Sequence, residues 1–259
     1  MKEHKTDYER NGDMKEKIWT AALLVIGDEI LSGRTQDANI QYLATWLNDE
    51  GVRLSEVRVV PDVTDSIVHA VNALRTKFDY LFTTGGIGPT HDDITAEAIA
   101  IAFRRPLIEH PEAIARLGKY YTTEKEFTPA RRRMTRVPEG GSLIDNSISI
   151  APGFRVENTF VMAGIPKVMQ AMLSSLKGQI KGGKPQISRS VTFQTVESGI
   201  AGPLEDIQNL YDGISLGSYP FLKNKKPHVQ IVIRGTNKML VDKVERAVSG
   251  LGTPLDESD

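Results

Sequence analysis

The chain has 259 residues, of which 40% are hydrophobic and 25% charged, so it can bury the core of one large or two modest domains. Its 32 basic and 33 acidic side chains leave a net charge of -1, which gives no global field to recruit nucleic acid or a membrane, and neither partner is expected. The sequence contains no cysteine, which excludes disulfides, thiolate catalysis and cysteine-based metal centres and fits a cytoplasmic protein.

Strand-like and helix-like patterns alternate along the first part of the chain. Residues 1–17 are charged and lack the apolar segment of a secretory signal, so we expect a flexible N-terminal extension. The apolar run Trp19–Ile26 predicts a buried parallel strand, and Arg53–Val60 and Tyr80–Thr84 predict two more. Between these strands, apolar residues recur at the spacing of an α-helix. The order βαβαβα predicts a mostly parallel sheet between two helical layers, a three-layer αβα arrangement of the α/β class.

The remaining patterns predict the end of the first domain and a smaller second one. Helical segments near Pro111–Tyr121 and Pro129–Thr135 are followed by a hairpin around Glu157-Asn158 and a helix at Pro166–Lys177. The first domain is therefore predicted at residues 18–177. Residues 178–186 are rich in Gly and Lys and contain Pro185 near their end, which is typical of a linker. The order βαββα over residues 187–259 predicts a small α+β domain.

A glycine-rich stretch, Thr83–Thr95, follows the third predicted strand and precedes a predicted helix. Backbone N–H groups in such a turn can face an anion, and the helix N-terminus adds positive partial charge. Asp92 and Asp93 come soon after the glycines, and either could cap the helix. Taken alone, the glycines are explained equally well by a tight turn without a ligand, and the aspartates by a helix cap.

A second polar loop, residues 27–39, follows the first strand and contains Asp28. Ligands of open parallel sheets bind beyond the carboxyl ends of the strands, so adjacent strands would bring Asp28 and Asp93 to one pocket. A carboxylate about 4 Å from a phosphate charge is repelled by about 4 kcal/mol at intermediate dielectric. The pocket therefore requires a cation, a protonated carboxyl, or ligand hydroxyls. Mg²⁺ bridging carboxylates and phosphates is the commonest arrangement.

The loops 27–39 and 84–95 resemble the two signatures of the MoaB/Mog family of molybdopterin-binding domains, most closely in the form found in the N-terminal part of CinA proteins. The segments 151–154 and 163–169 resemble later motifs of that family, and the βαββα region resembles the second domain of CinA proteins more weakly. The resemblance implies a three-layer fold that holds a pterin or nucleotide by its phosphates. It also implies self-association into a homo-oligomer.

The resemblance further implies roles for particular residues. In Mog-type enzymes, the aspartate that corresponds to Asp93 acts in molybdopterin adenylylation. In CinA-type relatives the fold is linked to metal-dependent hydrolysis of ADP-ribose or FAD, so Asp28 and Asp93 are expected to be catalytic and to hold Mg²⁺, Mn²⁺ or Co²⁺. The implied ligand- and phosphate-binding residues are Gly27, Thr84, Gly85, Gly86, Gly88, Pro89, Thr90, Asp92 and Thr95.

Two departures from the family pattern limit what is carried over. Ser149-Ile150 stands where the family often has Gly-Thr, so a ligand contact from that threonine is not expected here. The sequence ends at Asp259, so the deamidase activity of longer CinA proteins is not expected either. Two functions stay open at this point: a metal-dependent nucleotide-diphosphate hydrolase, and a molybdopterin-binding module without turnover. A third, weaker possibility is an interaction protein that acts through residues 186–259.

Overall fold

The structure is a computed structural model that describes residues 17–123 and 125–255. The chain divides into two compact units, Met1–Gly183 and Lys184–Asp259, and the division falls inside the predicted linker 178–186. Of the predicted N-terminal extension, all but Lys17 lies outside the described residues. Within the described ranges, no helix has the length and apolar character needed to cross a lipid bilayer.

Strands and helices alternate through the first half of the first unit, as predicted. The elements are β1 (Trp19–Ile26), α1 (Asp28–Leu31), α2 (Asn39–Asp49), β2 (Val52–Val60), α3 (Thr64–Lys77), β3 (Tyr80–Thr84) and α4 (Thr95–Phe103). The predicted first and third strands match the observed bounds of β1 and β3, and β2 begins one residue earlier than predicted.

The second half of the unit contains shorter elements. They are β4 (Leu107–Glu109), α5 (Pro111–Tyr120), α6 (Pro129–Arg132), β5 (Arg136–Pro138), β6 (Ser142–Ile144), β7 (Gly153–Val156), β8 (Thr159–Met162) and α7 (Pro166–Ser175). The predicted hairpin is confirmed, because β7 and β8 pair antiparallel around Glu157, which has a φ of 53°. The two-stranded sheet of β4 and β5 was not predicted from the sequence.

The central sheet of the first unit has six strands in the order β2-β1-β3-β8-β7-β6. β2, β1, β3 and β8 run parallel, whereas β7 runs in the opposite direction and pairs antiparallel with both β8 and β6. The carboxyl ends of the four parallel strands therefore lie at one edge. The loops after β1, β2, β3 and β8 meet at that edge.

The sheet is buried on both faces, which explains the near-continuous apolar sequence of β1. Ala21, Leu23 and Val25 belong to one core with residues of α2 and α7. Ala22, Leu24 and Ile26 belong to a second core with residues of α3 and α4. The predicted three-layer α/β fold is thus confirmed.

The second unit has the predicted order βαββα. Its elements are β9 (Ile187–Phe193), α8 (Ala201–Leu210), β10 (Ile214–Lys223), β11 (Lys226–Gly235) and α9 (Lys238–Ser249). The strands form an antiparallel sheet in the order β10-β11-β9. One face of that sheet packs on the helices through a separate apolar core that includes Ile231, Val241 and Val244.

One local prediction about helix capping is wrong. α4 begins at Thr95, its N-cap residue is Ile94, and no side chain caps it. Neither Asp92 nor Asp93 is therefore the helix cap, because the chain makes a turn at residues 90–93 before it reaches the helix. The Asp93 carboxylate accepts hydrogen bonds from Thr90 within that turn instead.

Candidate functional site

Four loops are joined by hydrogen bonds at the carboxyl edge of the parallel strands. The Asp28 N–H donates to Oδ2 of Asp62 at 3.0 Å, which joins the loops after β1 and β2. The Gly85 N–H donates to the Met162 carbonyl at 3.1 Å, which joins β3 to β8. Asn39 Nδ2 donates to the Gly164 carbonyl at 2.8 Å and thereby joins the first loop to the one after β8. These contacts fix one composite site.

The glycine loop after β3 has a backbone that side chains would disrupt. Gly85 has a φ of 105° and Gly86 a φ of 65°, and a Cβ at residue 85 would collide with the carbonyl oxygen of Ile26. The buried Thr95 at the start of α4 closes the loop. Its hydroxyl donates to the Gly85 carbonyl at 2.9 Å and its N–H to the Gly86 carbonyl at 3.0 Å. The loop is thus held in one conformation that requires glycine at residue 85.

The remaining predicted ligand-binding residues surround this loop. Thr84 is 1% exposed, and its hydroxyl has no hydrogen-bond partner among the described residues. Gly27 is buried, and its N–H donates to the Val60 carbonyl at 3.1 Å. Gly88 is half-buried, and Pro89 is exposed.

Asp93 faces the glycine loop, but its contacts are local. Its Oδ2 accepts from the Thr90 N–H at 2.7 Å and from the Thr90 hydroxyl at 2.5 Å. A Cβ on Gly88 would lie 2.7 Å from the same oxygen, so this carboxylate packs against the loop backbone. Neither Thr90 bond involves Oδ1.

Asp92 is exposed beside Asp93. The Thr90 hydroxyl that bonds Asp93 is also the main cause that lowers the pKa of the Asp92 carboxyl, with smaller contributions from His91 and Arg133. The Nδ1 of His91 lies 4.0 Å from Oδ1 of Asp92, and both side chains are well exposed. Asp92 is therefore a solvent-facing anion at the mouth of the site.

Asp62 is a site residue that the sequence analysis missed. It is half-buried directly after β2, and desolvation is the main cause that raises the pKa of its carboxyl. The carboxylates of Glu29, Asp28 and Asp92 raise this pKa further, and the hydrogen bond from the Asp28 N–H opposes the change. The Asp28 backbone thus bonds the Asp62 carboxylate, and within the described residues no hydrogen bond joins Asp28 to Asp93. The position of Asp62 after a neighbouring strand was the available signal.

Asn39 and Gly164 also belong to the site, although sequence reasoning assigned them no role. Asn39 is 4% exposed, and its Oδ1 has no hydrogen-bond partner among the described residues. Gly164 lies against the glycine loop, because a Cβ there would come 3.3 Å from Cα of Gly85. Both residues stand in segments that resemble family motifs, which was the signal for them.

A cluster of arginines, Arg131–Arg133 and Arg136, extends from α6 to the start of β5. Arg132 binds Glu109 at 2.8 Å and Arg136 binds Glu97 on α4 at 2.8 Å. Arg133 lies between them, is half-buried, and its Nε is buried without a hydrogen-bond partner in the described part of the chain. Arg133 is also close enough to Asp92 to lower the pKa of that carboxyl. Of Arg132, Arg133 and Arg136, only Arg133 has no ion pair with a carboxylate in the described part of the chain.

The carboxylates and other oxygen donors of the site decide whether it can hold a metal ion. Across the described residues, no group of three or more His, Asp or Glu side chains is arranged to hold a metal ion by itself. The oxygen donors present suit Mg²⁺ and Mn²⁺, and Mg²⁺ commonly uses only one or two carboxylates together with substrate phosphates. The donor set thus fits a cation that shares its coordination with a bound phosphate.

The fold and the glycine loop define an α/β protein with a composite site at the carboxyl edge of its sheet, and comparison with known proteins gives the family. Residues 22–182 match a family described as "Probable molybdopterin binding domain", and residues 185–254 match one described as "FAD synthase, middle domain". The chain belongs to the molybdopterin-binding-domain family of MoaB and Mog type.

Individual relatives agree with this assignment. A protein of Archaeoglobus fulgidus is 32% identical over 226 residues, which cover 87% of this chain and 93% of that protein. A CinA-like protein of Citrifermentans bemidjiense is 34% identical over 83% of this chain and 53% of its own length, so this chain spans about half of that relative. The crystal structure of CinA from Thermoplasma acidophilum superimposes with a TM-score of 0.59 and 30% identity, over 62% of this chain and 98% of that one. The resemblance drawn from the sequence is confirmed.

Proposed function

We propose that this CinA-like protein is a metal-dependent pyrophosphohydrolase that cleaves nucleoside diphosphates such as ADP-ribose or FAD. The observation that carries the proposal is the group of carboxylates around Asp62 beside a glycine loop with an anion-binding shape. A protein that only holds a phosphate has no need for several carboxylates there, because each repels the ligand by up to a few kcal/mol.

The glycine loop is proposed to bind the diphosphate. The N–H groups of residues 86–88 are the ones proposed to face it, because the Gly85 N–H already bonds the Met162 carbonyl, and α4 begins beyond the loop at Thr95. N–H groups and the positive end of the helix dipole favour anions at this place. The positive charge of Arg133 lowers the pKa of the Asp92 carboxyl, and Arg133 is proposed to contact a phosphate.

Asp28 and Asp93 are proposed to hold a divalent cation together with the diphosphate. Oδ1 of Asp93 lies outside its bonds with Thr90, and the Asp28 carboxylate is exposed. When bound, the cation supplies charge neutralisation and polarises a phosphoryl oxygen.

Asp62 is proposed to accept the proton from the attacking water. Its raised pKa makes its carboxylate a better base than an ordinary aspartate. The water oxygen bonds to one phosphorus as the P–O–P bridge breaks. The departing phosphate takes the bridging oxygen, and the water proton passes to Asp62.

The match of residues 185–254 to the middle domain of FAD synthase supports a flavin or adenine dinucleotide as the ligand. ADP-ribose and FAD contain the same adenosine diphosphate group. We therefore propose that this shared group is recognised, with cleavage between its two phosphates.

The test is a turnover assay with ADP-ribose and FAD in Mg²⁺, Mn²⁺ or Co²⁺. Asp28→Ala, Asp93→Ala and Asp62→Asn are expected to lower kcat by about 100-fold or more, as for loss of a general base or a metal ligand. Asp65→Asn, on the exposed side of α3, is the matched control and should keep full activity. Full activity in all three site variants would refute the proposal.

A second candidate is a module that binds molybdopterin without turnover. The two hydrogen bonds from Thr90 that hold Asp93 inside its own loop favour it, because they give this carboxylate a structural role. Equilibrium binding of molybdopterin, with no product from either dinucleotide under any of the three metals, would support this candidate over the hydrolase.

A further inference from the structure

A groove lies on the first unit between α2 and α7. Its volume is about 400 Å³, in the range of small-molecule sites. Its lining consists of Ala38, Gln41, Tyr42, Thr45, Trp46, Asp49 and Gln170. All but the last lie along one stripe of α2, because they recur three and four residues apart. The groove therefore combines two aromatic rings with amide, hydroxyl and carboxylate groups.

The two aromatic rings are held from behind by the core. Trp46 meets Phe82 edge to face, with ring centroids 6.1 Å apart and an angle of 74° between planes. Both Tyr42 and Trp46 pack against the core on the α2 side of the sheet and are only half-buried. Each ring thus has one part fixed by packing and another part that lines the groove.

The groove begins at the composite site. Ala38 precedes α2, and the next residue, Asn39, binds the Gly164 carbonyl beside the glycine loop. With a rise of 1.5 Å per residue, Tyr42 and Trp46 lie about 6 and about 12 Å along α2 from Ala38. A ligand that places its phosphates at the glycine loop can therefore extend a ring along the groove.

We propose that this groove binds the adenine ring of the nucleoside diphosphate, stacked on Tyr42 or Trp46, with the edge of the ring at Gln41 and Gln170. This inference rests on the proposed function, because it takes the diphosphate to lie at the glycine loop. Amide side chains carry both donors and acceptors, which match the amino group and ring nitrogens of adenine. Stacking on aromatic side chains is a general way to hold a base.

The tryptophan content of the chain allows a direct test. The only other tryptophan is Trp19, at the opposite end of β1 from the site, where it stacks on Tyr80 with centroids 5.9 Å apart. Trp19→Phe therefore leaves Trp46 as the sole tryptophan, and Trp46→Phe leaves Trp19. Each variant also carries Asp62→Asn, so that the proposed turnover does not consume the ligand, and is titrated with Mg²⁺ and either ADP or inorganic pyrophosphate, since pyrophosphate has the phosphates without the ring.

We expect ADP to quench Trp46 emission saturably in Trp19→Phe, and pyrophosphate to leave it unchanged. Neither ligand should change the emission of Trp46→Phe. Calorimetry of Gln170→Ala and Trp46→Ala should show about tenfold weaker ADP binding and unchanged pyrophosphate binding. Gln179→Ala, whose side chain bonds the Ser175 carbonyl outside the groove, is the matched control and should bind ADP normally.

The outcomes separate this inference from the proposed function. If ADP and pyrophosphate bind equally well and Trp46 does not respond, the ring lies elsewhere; the groove assignment fails while the phosphate site stands. If neither ligand binds, both the proposed function and this inference are wrong. If acrylamide cannot reach Trp46 in the ligand-free protein and dilution restores access, a second copy covers the groove, and the assignment is overturned.

Discussion

Gly85→Ala tests whether the glycine loop has the shape assigned to it. The φ of 105° at Gly85 lies beyond the left-handed region that alanine tolerates, and the added Cβ would collide with the Ile26 carbonyl of β1. Backbone strain of this kind costs about 1–3 kcal/mol, and overpacking a filled site costs about 1–3 kcal/mol more. We therefore expect the free energy of unfolding of the first unit to fall by about 2–6 kcal/mol.

The matched control is Gly178→Ala. Gly178 has a φ of 70°, within the left-handed region, and a Cβ there would meet nothing within 4 Å. Its cost should be only about 1–2 kcal/mol, for the left-handed backbone alone. The chain has 2 tryptophans, Trp19 and Trp46, and both lie in the first unit, so fluorescence during urea unfolding reports this unit alone.

The two variants together decide the point. If Gly85→Ala and Gly178→Ala lower the free energy of unfolding equally, the Ile26 carbonyl does not limit the loop, and the reasoning is wrong. If Gly85→Ala is the more destabilising variant, ADP binding to its folded fraction should also be lost. That loss would follow from displacement of the backbone N–H groups.

Three further predictions concern charges and caps around the site. The folded-state pKa of Asp62 is raised, so its ionisation disfavours folding at neutral pH, and Asp62→Asn should raise the free energy of unfolding there. In urea titrations from pH 7 to pH 4 that gain should shrink as the wild-type carboxyl is protonated, and a constant gain would count against the burial argument. Arg133→Gln should weaken ADP binding in calorimetry by about tenfold, whereas Arg132→Gln, which removes the pair with Glu109 and the contact with the Phe127 ring, should change it by less than about twofold; equal effects would contradict the assignment. Asp37→Ala removes the carboxylate that accepts from the first two N–H groups of α2 at 2.9 and 2.8 Å, and it should lower unfolding free energy by about 1 kcal/mol; an unchanged urea midpoint would show that water replaces the cap.

The layers of the fold were predictable because the burial of a strand or helix determines the pattern of apolar residues in its own sequence. β1 is apolar at nearly every position, since alternate residues enter different cores. The glycine loop was predictable for a related reason: only glycine accepts the backbone of residues 85 and 86 without strain. The order of the elements then placed the loops after β1 and β3 at one edge.

The helix cap and the small sheet of β4 and β5 were not predictable. Asp93 has the right residue type for a cap, but its carboxylate bonds Thr90 in a turn that the sequence pattern does not reveal. β4 and β5 have three residues each and lie 26 residues apart in the chain, too short for a periodic signal.

The sequence alone therefore determined the class of fold and the place of the glycine loop between β3 and α4, whereas anion binding by this loop and the roles of Asp28 and Asp93 stay predictions. Only the tertiary structure brought Asp62 to Asp28, since Val60 pairs with Ile26 and the residues after both strands meet. Only the structure distinguished Arg133 from its neighbours, because Glu109 and Glu97, which bind Arg132 and Arg136, come from distant segments. The physical reason is that periodicity records the burial of each segment. The charge and hydrogen-bonding state of a side chain depend on which other segments fold against it.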